Sequence, residues 1–203
     1  MTFSRRALLS TAAALALVAA MPRLAAAAAG AEAARAFITQ LGKETVDALQ
    51  RSDPAPQKAA KMEDILRRGF DFETIGKFVL GRYWTSASPQ QREEFLKVFT
   101  DFVSKSYSKR LAEEASVNGF NITNMRDLGE GDFLVQTAIT RPSGPALNYE
   151  WRVREGSNGI KIVDVIVEGV SLLVTQRSDF TSVAGQNGID GLIATLRNKV
   201  AAL

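Results

Sequence analysis

Asp164, Tyr149 and Arg177 are the side chains of this sequence with the clearest capacity for chemistry. Asp164 stands in the run IKIVDVIV (160–167), where strand alternation places it on the face of Ile160, Ile162 and Ile166. A carboxyl group buried there could move a proton without help from histidine. The phenol of Tyr149 could serve the same end. Arg177 falls on the apolar side of its segment, after Leu173 and three residues before Phe180. It reads as an ion-pair partner of Asp164 or Glu168, or as an apolar stem with its charge in water. It also reads as a guanidinium set to hold a phosphate in bidentate fashion. No paired acid and base occur at a recognisable spacing.

What is missing narrows the chemistry further. The chain has no Cys and no His. Disulfide frameworks, thiolate nucleophiles, Ser-His-Asp catalysis and histidine metal sites are therefore excluded. There is no P-loop, no GxGxxG and no internal repeat.

The first 29 residues have the parts of an export signal: Arg5 and Arg6, an apolar run from Ala7 to Ala20, and small residues from Ala25 to Ala29. The run is short and alanine-rich for a membrane span, which needs about 20 strongly apolar residues. Ser4-Arg5-Arg6 fits a twin-arginine signal, and a general secretory signal carrying two arginines is the other reading. An uncleaved inner-membrane anchor is the third. Residues 1–29 hold Arg5, Arg6 and Arg23 and no acid, so the remainder carries 22 basic and 22 acidic residues. A neutral chain gives no electrostatic case for nucleic acid or for a strongly anionic surface. Residues 30–203 are expected to form one domain.

The positioning elements follow from periodicity. Phe37, Ile38, Leu41, Ala48 and Leu49 keep a helical period over about 31–51, and SDPAP (52–56) ends it. Ala59, Met62, Ile65, Leu66 and Phe70 mark a second helix. Asp71 is placed to cap a short one through FETIGKFVL, with Gly81 as its C-cap. Ser88, Pro89 and Gln91 open the longest helix with a capping-box pattern. Its apolar stripe is Phe95, Val98, Phe99, Phe102, Val103, Tyr107 and Leu111. The period then becomes two in segments 120–127, 133–140, 146–154 and 160–167, joined by short turns, which predicts antiparallel pairing. Leu147, Tyr149, Trp151 and Val153 share one face of the third strand. Two closing helices are expected, one carrying Val170, Leu173, Val174, Phe180 and Ala184, the other Ile189 to Val200, with Asn187-Gly188 between. The fold class is α+β: a curved antiparallel sheet of about four strands, covered on one face by N- and C-terminal helices, an arrangement that commonly leaves an apolar cavity between layers.

The stretch FDFETIGKFVLGRYWTSASPQQREEFLKVFTDFVSKSY, followed by VDVIVEGVSLLVTQRSDFTSVAGQNGIDGLIATL, resembles the MlaC (toluene-tolerance) family. Its most specific pieces are VLGRYW, SPQQREEF, EGVSL and GIDGLI. The resemblance implies a periplasmic phospholipid carrier, with bound phospholipid as cargo and no cofactor, enclosing acyl chains in a deep apolar cavity. It implies shuttling between an outer-membrane lipoprotein–porin complex and an inner-membrane ABC transporter of the Mla type. A related branch accompanies hopanoid biosynthesis, so a polycyclic lipid is the alternative cargo.

The residues are compatible with such a role. A chain methylene left in water costs roughly 0.8 kcal/mol, so a carrier needs enclosed apolar surface. The expected wall is Phe78, Val79, Tyr83, Trp84, Phe99, Phe102, Val103, Tyr149, Trp151, Val167, Val170, Leu173 and Val174, with Arg177 toward a lipid phosphate. Ordinary core packing is the competing reading of every aromatic in that set. Two other functions stay open: a small cone-shaped enzyme using Asp164 or Tyr149, and an interaction module with exposed apolar patches.

Overall fold

The computed structural model describes residues 7–114 and 116–203, with side chains from residue 28 onward except Glu114. Helix α1 (Ala7–Gln50) is followed by α2 (Ala55–Gly69), α3 (Phe72–Leu80), α4 (Arg82–Ser86) and α5 (Pro89–Glu114). Strands β1 (Gly119–Gly129), β2 (Asp132–Thr140), β3 (Leu147–Gly156), β4 (Gly159–Val167) and β5 (Val170–Ser171) come next, and α6 (Leu172–Ala201) closes the chain. Among the described residues no helix is long and apolar enough to cross a membrane. The signal-peptide reading of residues 1–29 falls partly outside the described residues.

Local chemistry sets the helix boundaries. The Asp71 carboxylate accepts from the Thr74 amide at 2.9 Å and starts α3. The Ser88 hydroxyl accepts from the Gln91 amide at 3.1 Å while the Gln91 side chain accepts from the Ser88 amide at 3.0 Å, a completed capping box. Gly81 ends α3 and starts α4 at φ 57° and ψ −127°, a conformation that L side chains rarely adopt. A Cβ there would also lie 3.3 Å from Arg177 Nε. Gly81→Ala is expected to cost about 1–3 kcal/mol, read as a lowered midpoint in thermal unfolding.

The strands form one antiparallel sheet in the order β1-β2-β3-β4-β5. It has five strands where about four were expected, because the turn at Glu168 (φ 50°) and Gly169 (φ 78°) folds Val170 and Ser171 back onto β4. Val170 thus belongs to the sheet and not to the closing helix. The two closing helices are one element kinked at Gly188 (φ 71°, ψ 178°), where the sequence places a break.

A register shift in β4 has a larger consequence. Arg152 pairs with Asp164 while Val153 pairs with Ile162, so Val163 is an extra residue, a β-bulge. Ile162 stays on the inner face with Val165 and Val167, and Asp164 turns to the face opposite Ile162. The simple alternation that put Asp164 beside Ile160 and Ile162 fails at this bulge.

Apolar packing is divided. One cluster lies between α3, α5 and α6 around Leu80, Phe95, Phe99, Phe180 and Leu192. A second lies between α1 and the inner sheet face, around Ile38, Phe133, Val135, Val153 and Ile162. A third joins α1 to α2 through Ala48, Leu49, Met62 and Ile65.

Candidate lipid-binding surfaces

The expected wall residues sort into these clusters. Val79 and Phe99 are fully buried in the helical cluster, and Tyr83, Trp84, Phe102, Val103 and Leu173 are packed against it while only partly buried. Phe99 stacks on Phe95 at 5.5 Å and meets Phe180 edge-on at 5.8 Å, so its ring is core. Tyr149, Trp151 and Val167 are partly buried members of the sheet cluster. The Tyr149 and Trp151 rings stack at 5.8 Å, and Trp151 Nε1 donates to the buried Thr137 hydroxyl at 2.8 Å. Thr137 is not among the expected wall residues, although alternation with Phe133 and Val135 puts it on the inner face.

The first turn of α6 links the two surfaces, since Leu172 packs on the sheet cluster and its neighbour Leu173 on the helical one. Asp164 holds that turn in place: its carboxylate accepts from the Ser171 hydroxyl at 2.7 Å and the Leu173 amide at 3.1 Å. A carboxylate at a helix N-terminus satisfies amides that lack a helical partner, which is a structural duty.

Other expected residues stand elsewhere. Phe78, Val170 and Val174 are 37%, 56% and 58% exposed, so they face outward in this structure and line neither cluster's interior. Arg177 is paired with neither Asp164 nor Glu168 among the described residues. Its guanidinium lies over the Phe78 ring, 4.6 Å from the centroid. Two surface hollows, of about 380 and 450 Å³, sit beside α2 and α5 and beside α5 and α6, and no expected wall residue lines either.

Two polar groups on α5 lay outside the expected site. Ser106 Oγ is buried without a hydrogen-bond partner among the described residues, one turn after Phe102. Burial pushes the Tyr107 hydroxyl pKa above its ordinary value, with Arg110 opposing. Their place beside Val103 in the helical stripe was the available signal. Among the described residues no group of three or more acidic side chains is assembled as a metal site.

The molecule is thus an α+β domain with two incompletely covered apolar surfaces and its best-placed carboxylate committed to a helix cap. The sequence profile described as MlaC protein matches residues 39–198, and the chain belongs to the MlaC family. It is 27% identical over 155 residues to the intermembrane phospholipid transport system binding protein MlaC of Haemophilus influenzae, covering 74% of this chain and 72% of that one. Its fold matches that of a phospholipid-binding protein from Ralstonia solanacearum, solved in complex with a phospholipid. That match has a TM-score of 0.72 at 21% identity and spans 83% of this chain and 97% of the other.

Proposed function

We propose that this chain is a periplasmic phospholipid carrier. Its acyl chains lie between the helical surface of Phe102, Val103 and Leu173 and the sheet surface of Tyr149, Trp151 and Val167. The supporting observation is that all six are apolar or aromatic and only partly buried, on two clusters joined by the first turn of α6. In a family of this kind that pattern suits a cargo that completes the packing. The carrier works between an inner-membrane ABC transporter complex of the Mla type and an outer-membrane lipoprotein–porin complex. Export through residues 1–29 delivers it there. Arg177 is the headgroup contact, because the residue is exposed and its guanidinium lies over the Phe78 ring.

Carriage requires no chemical step. The protein is expected to yield unaltered phospholipid on organic extraction, identified by mass spectrometry. Asp164→Asn should leave that cargo in place, because the amide oxygen can still accept from Leu173 and the carboxylate has no substrate to act on. A converted lipid that disappears in Asp164→Asn would replace carriage with catalysis. A hopanoid in the extract would change the cargo.

A further inference from the structure

We propose that the outer surface formed by the end of α3 and the start of α6 docks directly on an anionic phospholipid bilayer. Of the five large apolar side chains that stand exposed among the described residues, Phe78 lies near the end of α3, Val174 in the first turn of α6, and Val170 two residues before that helix. Arg177 joins them. It stacks on Phe78, and Val174 precedes it by three residues on the same helix face, with Val170 just before the helix. Arg82, beside Gly81, is stacked in the same way on Tyr83, 4.9 Å from the centroid, and donates to the Tyr83 hydroxyl at 2.8 Å. Neither guanidinium has a carboxylate partner among the described residues, whereas Arg67, Arg68, Arg152, Arg154 and Arg197 each do.

The surrounding charges decide the occupant. Lys77 is offset by Glu73 one turn earlier, and Asp179 points away from Arg177 by its two-residue spacing on α6. Glu168 stands at the turn before Val170. Two unpaired arginines against one carboxylate leave a local cationic excess on a chain that is neutral beyond residue 29. Exposed Phe and Val beside arginines with free guanidinium faces match the bilayer boundary, where apolar side chains enter the acyl region and arginines meet phosphates. The stacking fixes each guanidinium before contact, so little side-chain freedom is lost on binding. Docking here goes beyond carriage, because it needs no cargo in the protein.

The test is co-sedimentation of the exported protein, its first residue fixed by intact mass, with protein-free vesicles. Phosphatidylcholine vesicles are compared with vesicles also containing phosphatidylglycerol. Binding is expected to the anionic vesicles only and to weaken as salt rises. Arg177→Gln should weaken it about fivefold, the effect of one cation near an anionic surface. Val170→Glu combined with Val174→Glu should weaken it at least about tenfold, since two apolar contacts are lost and two repelled charges gained. Glu at 174 falls in the first turn of α6, where the helix dipole favours it, so the fold survives, as thermal unfolding will show. Equal binding to both vesicle types, or undiminished binding by the double variant, overturns the proposal. So does binding confined to membranes that retain their native proteins, which assigns the surface to a protein partner.

Discussion

Val103→Glu and Val167→Glu are each expected to purify folded and to carry about a hundredfold less phospholipid than the parent chain, because an unpaired carboxylate beside acyl chains costs several kcal/mol. The two positions test opposite sides of the proposed site. Val103 lies on α5 in the helical cluster, and Val167 ends β4 in the sheet cluster. Neither is fully buried, so a glutamate at either can reach water when no cargo is present. A cargo covering that wall would remove the water, and the charge would then oppose binding. Phosphorus content per protein after organic extraction measures the effect, with thermal unfolding in parallel. Unchanged phospholipid in both variants removes these residues from the wall. Fully buried Phe99 gives the contrast: Phe99→Ala should lower stability by about 3–5 kcal/mol through the core cavity it leaves, whatever happens to the cargo.

Features resting on near neighbours in the chain were legible before the structure. The Asp71 cap, the Ser88–Gln91 capping box and the Gly81 terminus each involve partners within four residues, and all are present. Alternation in β3 likewise put Tyr149 and Trp151 on one side with Val153, and the structure gathers all three in the sheet cluster. Asp164 is where alternation within a single strand fails as a guide. Its face depends on the extra residue Val163, and a bulge is set by pairing with β3, which the sequence of β4 does not contain. Strand β5 escaped notice for a related reason. Two residues carry no period, and only the positive φ angles of Glu168 and Gly169 bring Val170 back to Val167.

The candidate site was less legible because apolar pattern does not distinguish a covered side chain from a bare one. Val79 and Phe78 are adjacent in one apolar run, yet the first is wholly buried and the second is 37% exposed beneath Arg177. Helix α6 shows the same division, with Leu173 against the helical cluster and Val174 facing out. Which member is covered depends on where α3, α5 and α6 meet, a tertiary property. Arg177 illustrates it from the polar side. Its apparent partners Asp164 and Glu168 are near in sequence, but Asp164 is engaged by Ser171 and Leu173, and the guanidinium turns to an aromatic ring from another helix.

Asp132→Ala is expected to destabilise the domain by about 2 kcal/mol and Asp132→Asn by about half as much, with the loss fading only as pH falls through the lowered folded-state pKa. Asp132 starts β2 and is only 4% exposed. Its carboxylate accepts from Arg154 at 2.6 and 2.8 Å and from Arg152 at 3.0 and 2.5 Å. The hydrogen bond from Arg154 is the largest influence on its pKa; burial opposes it, Arg152 adds to it, and the balance holds the group below the ordinary carboxylate range. Removing the carboxylate from between two fully buried arginines would cost about 3–5 kcal/mol. Here the arginine side chains are 41% and 42% accessible and can recover water, so the smaller figure applies. Asn keeps an acceptor for one guanidinium, which accounts for its intermediate rank. The pH dependence follows from the lowered folded-state pKa: the stabilisation is complete above the unfolded value of about 3.9 and is lost as pH falls through the folded value. Urea unfolding of the parent and Ala chains should therefore show a stability gap that is constant near neutrality and narrows in acid. A gap that stays constant into acid would mean that β2 is held by packing around Leu134 and not by this ion pair.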